Sequence, residues 1–308
     1  MNWSLFFDLT VSGLTLGSVY ALIALGYSMV YGILKLLNFA HGDVYMIGAF
    51  LGWFTLHGFG GPVSPNIGAW FVVVFMLWAA MLGCGVLGVV IERFAYRPLR
   101  NAPRIAPLIS ALGVSFFLQN SALLLFGADF RTYDGFDLIG TRTFHVGNLF
   151  FGTPQILAVA AAIGLMVVLT LVVARTQVGK AMRATSFDRE AAEMMGINVD
   201  WVISVTFFLG SALAGAAGVM FGLVYGQIYQ YMGFIAGLKG FTAAVIGGIG
   251  SIPGAMVGGL VVGLGESYST GYLPQGSTFQ NLYVFAFLII AIVLRPSGLL
   301  GRAAVQKV

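Results

Sequence analysis

A chain of 308 residues with 59% hydrophobic and only 8% charged side chains lies far below the roughly 25% charge of ordinary soluble domains. This excludes one hydrophobic core in water and indicates an integral membrane protein. The formal net charge of +4 comes with no basic stripe interleaved with aromatics, so it speaks of membrane topology and not of nucleic acid. The single cysteine, Cys84, lies in an apolar run; it excludes an intrachain disulfide or a cysteine-rich metal site and reads as packing.

In chain order, the N-terminal MNWSLFFD lacks the basic region of a secretory signal, and the first span is too long and Gly-rich for a cleaved segment, so it is expected to be retained. Uncharged runs follow at Leu9 to Leu34, Ile67 to Ile91, Ile105 to Ala128, Phe150 to Ala174 and Trp201 to Tyr225, each of 24 to 26 residues. All exceed the ~20 residues that span a bilayer as a helix. Three shorter or interrupted runs are Val44 to Leu56, Phe241 to Gly265 and Phe279 to Leu294. The expected fold is all-α, a polytopic transmembrane bundle of about seven or eight membrane segments in one domain, 1–308.

Twelve of the 15 Lys and Arg residues fall in four groups: Lys35; Arg93, Arg97, Arg100 and Arg104; Arg175, Lys180, Arg183 and Arg189; Arg295, Arg302 and Lys307. The positive-inside rule assigns these to the cytoplasm, with the N-terminus outside and the C-terminus inside. The loop from Ala128 to Leu149, with Asp129, Asp134 and Asp137 against Arg131 and Arg142, reads as external.

Three apolar runs then separate Arg189 from Arg295, although both ends are cytoplasmic, so one run is not a simple crossing. Phe241 to Gly265 is the candidate, because Gly247, Gly248, Gly250, Pro253 and Gly254 cut it into halves. Each half reaches roughly 14 to 17 Å, half the hydrocarbon core. The expectation is an outside-entering hairpin or a pair of broken helices, flanked externally by Lys239 and Glu266; the competing reading is one bent span, with the last run only skirting the membrane. A long helix followed by an interrupted one occurs at both Leu9 and Trp201 in opposite orientation, the pattern of an inverted repeat and a pointer to a transport path.

The first interruption reads NFAHGDVYMIGAF from Asn38 to Phe50. Asp43 has two compatible readings. One is a helix N-cap, with Gly42 permitting the tight turn. The other puts Asn38, His41, Gly42 and Asp43 on the path, where His41 or the helix start meets an anion. Gly247, Gly248, Gly250 and Pro253 form the corresponding candidates in the second half. Gln119 and Asn120 read as interhelical hydrogen bonds. Small residues four apart, among them Gly13 and Gly17, Gly210 to Gly222, and Gly254 and Gly258, indicate a compact bundle or a subunit contact.

The loop from Arg175 to Asp200 is too polar to span. Two short helices are expected, joined near Thr185-Ser186-Phe187, the second capped by Ser186 or Asp188, starting near Glu190 and ended by Gly196.

The stretches GLTLGSVYALIALGYSMVYGILKLLNFAHGDVYMIGAF (13–50), GFTAAVIGGIGSIPGAMVGGLVVGLGE (240–266) and LRPSGLLG (294–301), with EAAEMMG (190–196) in the polar loop, resemble the LivH/LivM permeases of branched-chain amino-acid ABC importers. The EAA loop resembles that by which such permeases dock on their ATPases, but no Leu-Pro follows Gly196 at the usual distance. The resemblance implies a bacterial inner-membrane permease without cofactor, paired with a second, LivM-like permease. Two cytoplasmic ATPases and a periplasmic binding protein delivering Leu, Ile or Val complete such an importer. It assigns coupling to Glu190, Ala191, Ala192 and Gly196 within 175–200. The only Gly-Lys pair, Gly179-Lys180, lacks the rest of a phosphate-binding loop, so ATP hydrolysis is left to other subunits. Related permeases carry urea or short amides. From other classes, a gradient-driven carrier using Asp43 and His41, or a passive channel, are the rivals; no metal-binding or nucleophile-base spacing supports an enzyme.

Overall fold

A computed structural model describes residues 3–58, 67–100, 102–103, 105–133, 143–146 and 149–301. Arg104, Asp134, Asp137, Arg142, Arg302 and Lys307, used above for orientation, lie outside them. The described helices are α1 (Trp3–Leu34), α2 (His41–Gly58), α3 (Ile67–Ile91), α4 (Ile105–Phe126), α5 (Thr153–Arg175), α6 (Gln177–Phe187), α7 (Arg189–Met194), α8 (Val199–Tyr225), α9 (Met232–Gly247), α10 (Ile252–Tyr272) and α11 (Gln280–Leu294). Helix α3 continues through a π turn (Glu92–Tyr96) and a 3-10 turn (Arg97–Leu99). Five helices are long and apolar enough to cross a membrane, or six when the bent pair α9–α10 counts as one span.

Two kinds of helix make up this bundle. Of the most apolar stretch of each, 72% is buried in α1 and 78% in α8, against 33%, 28% and 22% in α3, α4 and α5. The rim helices turn Phe71, Trp78, Val86, Ile109, Phe117 and Leu125 outward, side chains that only lipid solvates favourably. The centre is built on small residues. Gly17 of α1 rests on Leu260 of α10, Gly210 of α8 on Gly26 of α1, and Gly218 of α8 on α2 between Tyr45 and Ala49. The stripes of small residues therefore serve close packing within the chain, by the van der Waals contact that holds helices together in lipid. Cys84 is buried, its thiol directed at the Val44 carbonyl at 3.3 Å, as expected of a packing residue.

All five long spans lie where the apolar runs put them, with ends moved by a few residues. Short strands were not foreseen: Arg131–Thr132 pairs antiparallel with Gln227–Ile228, and Thr143–Val146 with Leu149–Gly152. Helix α5 accordingly starts at Thr153 and not at Phe150.

The largest correction concerns the broken run. Helices α9 and α10 have 16 and 21 residues, roughly 24 and 31 Å at 1.5 Å per residue, and meet at a bend of 120°. They are a hairpin of two long helices and not two half-helices. The bend lies beside Gly32 near the end of α1, at the end of the bundle that carries Lys35, Arg183 and Arg189. Lys239 and Glu266 do not flank the hairpin. They lie inside it, 4% exposed each, with Lys239 Nζ 2.5 Å from Glu266 Oε1. Hydropathy stopped at both charges because it counts them singly, whereas a mutually neutralised pair is tolerated between helices.

Candidate functional site

Helix α1 ends where Lys35 takes a left-handed conformation, φ +56°, and the chain folds back along the bundle. Asn38 is buried here, its Oδ1 accepting the Tyr96 hydroxyl at 2.9 Å. Helix α2 then starts at His41, which packs against Gly26, about two turns inside the end of α1. The His41 ring stands edge-on to Tyr27 with centroids 4.8 Å apart, and its Nε2 is buried without a hydrogen-bond partner.

Asp43 is not the N-cap. The amides of His41, Asp43 and Val44 are taken by the carbonyls of Asn38 and Ala40, so the helix has begun before Asp43 and its carboxylate is free to reach across to α4. There it accepts hydrogen bonds from Ser115 Oγ and, at 3.1 Å, from Gln119 Nε2. A carboxylate in the first turn also faces the positive end of the helix dipole. Gln119 thus joins two helices as read, but Asn120 does not: it is exposed and bonds the Phe116 carbonyl of its own helix at 2.8 Å.

The second interruption meets the first. Gly226 caps α8 with φ +74°, the strand Gln227–Ile228 follows, and α9 starts at Met232. Gly233 and Gly237 then lie directly on Gly42; a methyl group on Gly233 would sit 2.6 Å from the Gly42 carbonyl oxygen. Two helix N-termini converge on this glycine contact, each the positive end of its dipole, and the contact is closed in this conformation. Asn38, His41, Gly42 and Asp43 are therefore gathered in one place, but Gly247, Gly248, Gly250 and Pro253 are not part of it. Those four form the bend between α9 and α10, where Ser251 Oγ accepts the Gly254 amide at 3.2 Å and Pro253 occupies the first turn of α10. The closing LRPSGLLG stretch straps the bend through Leu299 N to Ile246 O and Leu300 N to Gly247 O, 2.8 and 2.9 Å. Sequence reasoning missed Gly233 and Gly237, although their spacing of four is a small-residue signal of close helix approach.

A second buried polar cluster sits deeper in the hairpin. Glu266 accepts from Lys239 on one oxygen and from the Tyr20 hydroxyl, at 3.0 Å, on the other, tying α9, α10 and α1 together.

At the basic end, α6 and α7 form the polar corner. Thr176 caps α6 by accepting the Gly179 amide at 3.1 Å, and Asp188 caps α7 by accepting the Ala191 amide at 3.1 Å. Gly196, φ +83°, ends α7, the left-handed position at which a Cβ is disfavoured. Ala192 is buried beneath the corner, while Glu190 and Ala191 face outward with Phe187, Met194 and Met195, which are 92%, 82% and 82% exposed. Arg189 anchors the corner by donating to the Ile33 carbonyl of α1. Nearby, Arg97 and Arg100 pair with Asp200, and Arg100 also with the buried Glu92. Among the described residues no group of three or more His, Cys, Asp or Glu side chains is placed to hold a metal.

A rim of outward-facing apolar side chains around a glycine-packed centre, with five or six helices able to cross a membrane among the described residues, defines a multi-pass helical membrane protein. The model of the family described as "Branched-chain amino acid transport system / permease component" matches residues 9–294, and the chain belongs to that family. It is 42% identical to the high-affinity branched-chain amino acid transport system permease protein LivH of Escherichia coli K12 over 96% of each chain. It is 41% identical to the corresponding BraD protein of Pseudomonas aeruginosa over 97% of this chain and 96% of that one. A probable branched-chain amino acid transport permease of Methanocaldococcus jannaschii is 28% identical over 92% and 89%.

Proposed function

We propose that this chain is one permease of a binding-protein-dependent ABC importer of the bacterial inner membrane, and that it carries Leu, Ile or Val. Its full length, 1–308, acts as one permease domain whose basic end faces the cytoplasm, with the N-terminus outside. A second, LivM-like permease completes the path, two ATPases dock from the cytoplasm, and a periplasmic protein delivers the solute. The relatives' names support the cargo.

The observation that carries the coupling is the exposed apolar corner of Phe187, Met194 and Met195. It stands on the polar helices α6 and α7, and an exposed apolar patch of this kind supports docking into a protein groove. Glu190, Ala191, Ala192 and Gly196 set its shape. Because Arg189 ties the corner to the end of α1, a push on it is passed to the segment Lys35–Ala40 and so to the contact of Gly42 with Gly233. Separation of α2 from α9 then exposes two positive helix ends, which suit the carboxylate of an amino acid. The test is Phe187→Asp with Met194→Asp. The ATPase subunits should no longer co-purify and leucine uptake should cease, with thermal unfolding of the bundle unchanged; full co-purification and uptake would remove the corner from the mechanism.

A further inference from the structure

A cavity of about 510 Å³ opens beside the hairpin bend, walled by Met29 and Ile33 of α1, Val173 of α5, Met182 of α6 and residues 249–253. A second, of about 360 Å³, adjoins it and shares Ile33, Lys35 and Ser186. The charges around the pair are all of one sign: Lys35, Arg183, Arg189 and Arg100 line them, and no acidic side chain does among the described residues. Arg100 is neutralised by Glu92 and Asp200. The other three are not, since Arg183 and Arg189 donate to the uncharged carbonyls of Val173 and Ile33. Lys35 makes no ion pair among the described residues and only approaches the Tyr31 ring at 5.9 Å. Its pKa is pushed down by partial burial and, to a lesser extent, by the charge of Arg189.

A further group waits for a partner inside the larger cavity. Ser28 is 1% exposed and its Oγ has no hydrogen bond. Ser186 and Ser251 also line it, the walls beyond these and the basic residues are apolar, and the cavity lies where the apolar bundle meets the polar helix α6.

We propose that this cavity binds one anionic phospholipid, its phosphate held by Lys35 and Ser28 with Arg183 beside it and Arg189 in the adjoining cavity, and the start of an acyl chain against Met29, Ile33 and Val173. A zwitterionic solute suits the site less well, because its ammonium group would meet three uncompensated cations. Basic pockets between membrane helices on the cytoplasmic side take such headgroups. The lipid would fill the space between the α6 corner and the hairpin bend, coupling their positions.

The test is native mass spectrometry of the intact complex, purified from its membrane and exchanged into micelles with phosphatidylglycerol or phosphatidylcholine. One phosphatidylglycerol per copy of this chain should be retained in preference to phosphatidylcholine. Lys35→Gln should reduce its retention about fivefold, the worth of one basic residue beside an anionic headgroup. Lys35→Arg should restore it, which separates charge from folding. Equal retention of both lipids, an unchanged Lys35→Gln variant, or release by inorganic phosphate would each overturn the proposal. None of these outcomes depends on which solute the complex carries.

Discussion

The two buried polar clusters solve the same problem in opposite ways. Glu266 is met by a full opposite charge, Lys239, and by Tyr20, so that the α9–α10 hairpin and α1 form one block. Asp43 is met only by the neutral groups of Ser115 and Gln119, next to a glycine contact and a histidine nitrogen without a partner. An ion pair in a bundle interior holds parts together, and its loss strands a charge. A carboxylate held by hydroxyl and amide leaves no second charge stranded when those partners move, although it must find other donors itself. The first cluster is a clamp, and the second stands at a joint.

That contrast can be broken by substitution, and the largest effect belongs to the clamp. Glu266→Gln leaves Lys239 buried without a counter-charge and should cost ~3–5 kcal/mol in denaturant unfolding. The double change Lys239→Met with Glu266→Met should recover most of it; no recovery would mean that mutual neutralisation is not what the pair supplies. Gly233→Ala forces the α2–α9 contact apart at the backbone and should cost ~1–3 kcal/mol, with a shift in the packing of His41 visible by cross-linking. A variant as stable as the wild type would show that the contact is looser than described. Asp43→Asn should cost only about 1 kcal/mol, because Ser115 and Gln119 can still exchange hydrogen bonds with it, yet should lower leucine uptake; normal uptake would take Asp43 out of the path. Smallest is Asn120→Ala, whose side chain bonds only its own helix in an exposed position, with a change within about 0.5 kcal/mol.

The long spans were legible because hydropathy over two dozen residues needs no tertiary information. The second half of the polar corner was legible as well: Asp188 and Gly196 act through a hydrogen bond and a dihedral angle within a few residues, so local chemistry decides them. Asp43 looked like a cap for the same reason, since the spacing of Gly42, Asp43 and an apolar run allows one. What moved it was Ser115 and Gln119, 72 and 76 positions away, a contact to which no local pattern points. Lys239 and Glu266 were placed at the surface because each was weighed alone, and only their meeting across the bend makes burial affordable. Gly42, Gly233 and Gly237 were all visible as small residues; that they touch depends on two interrupted helices starting at the same depth, a property of the fold and not of either segment.

The central claim is that this subunit is a gate moved by ATPases docked on the α6–α7 corner. The most direct test is uptake of labelled leucine into proteoliposomes, comparing the purified chain alone with the complete complex supplied with binding protein and ATP. The account predicts concentrative uptake by the complex only, abolished when ATP is withheld. Accumulation of leucine against its gradient by the chain alone would contradict it.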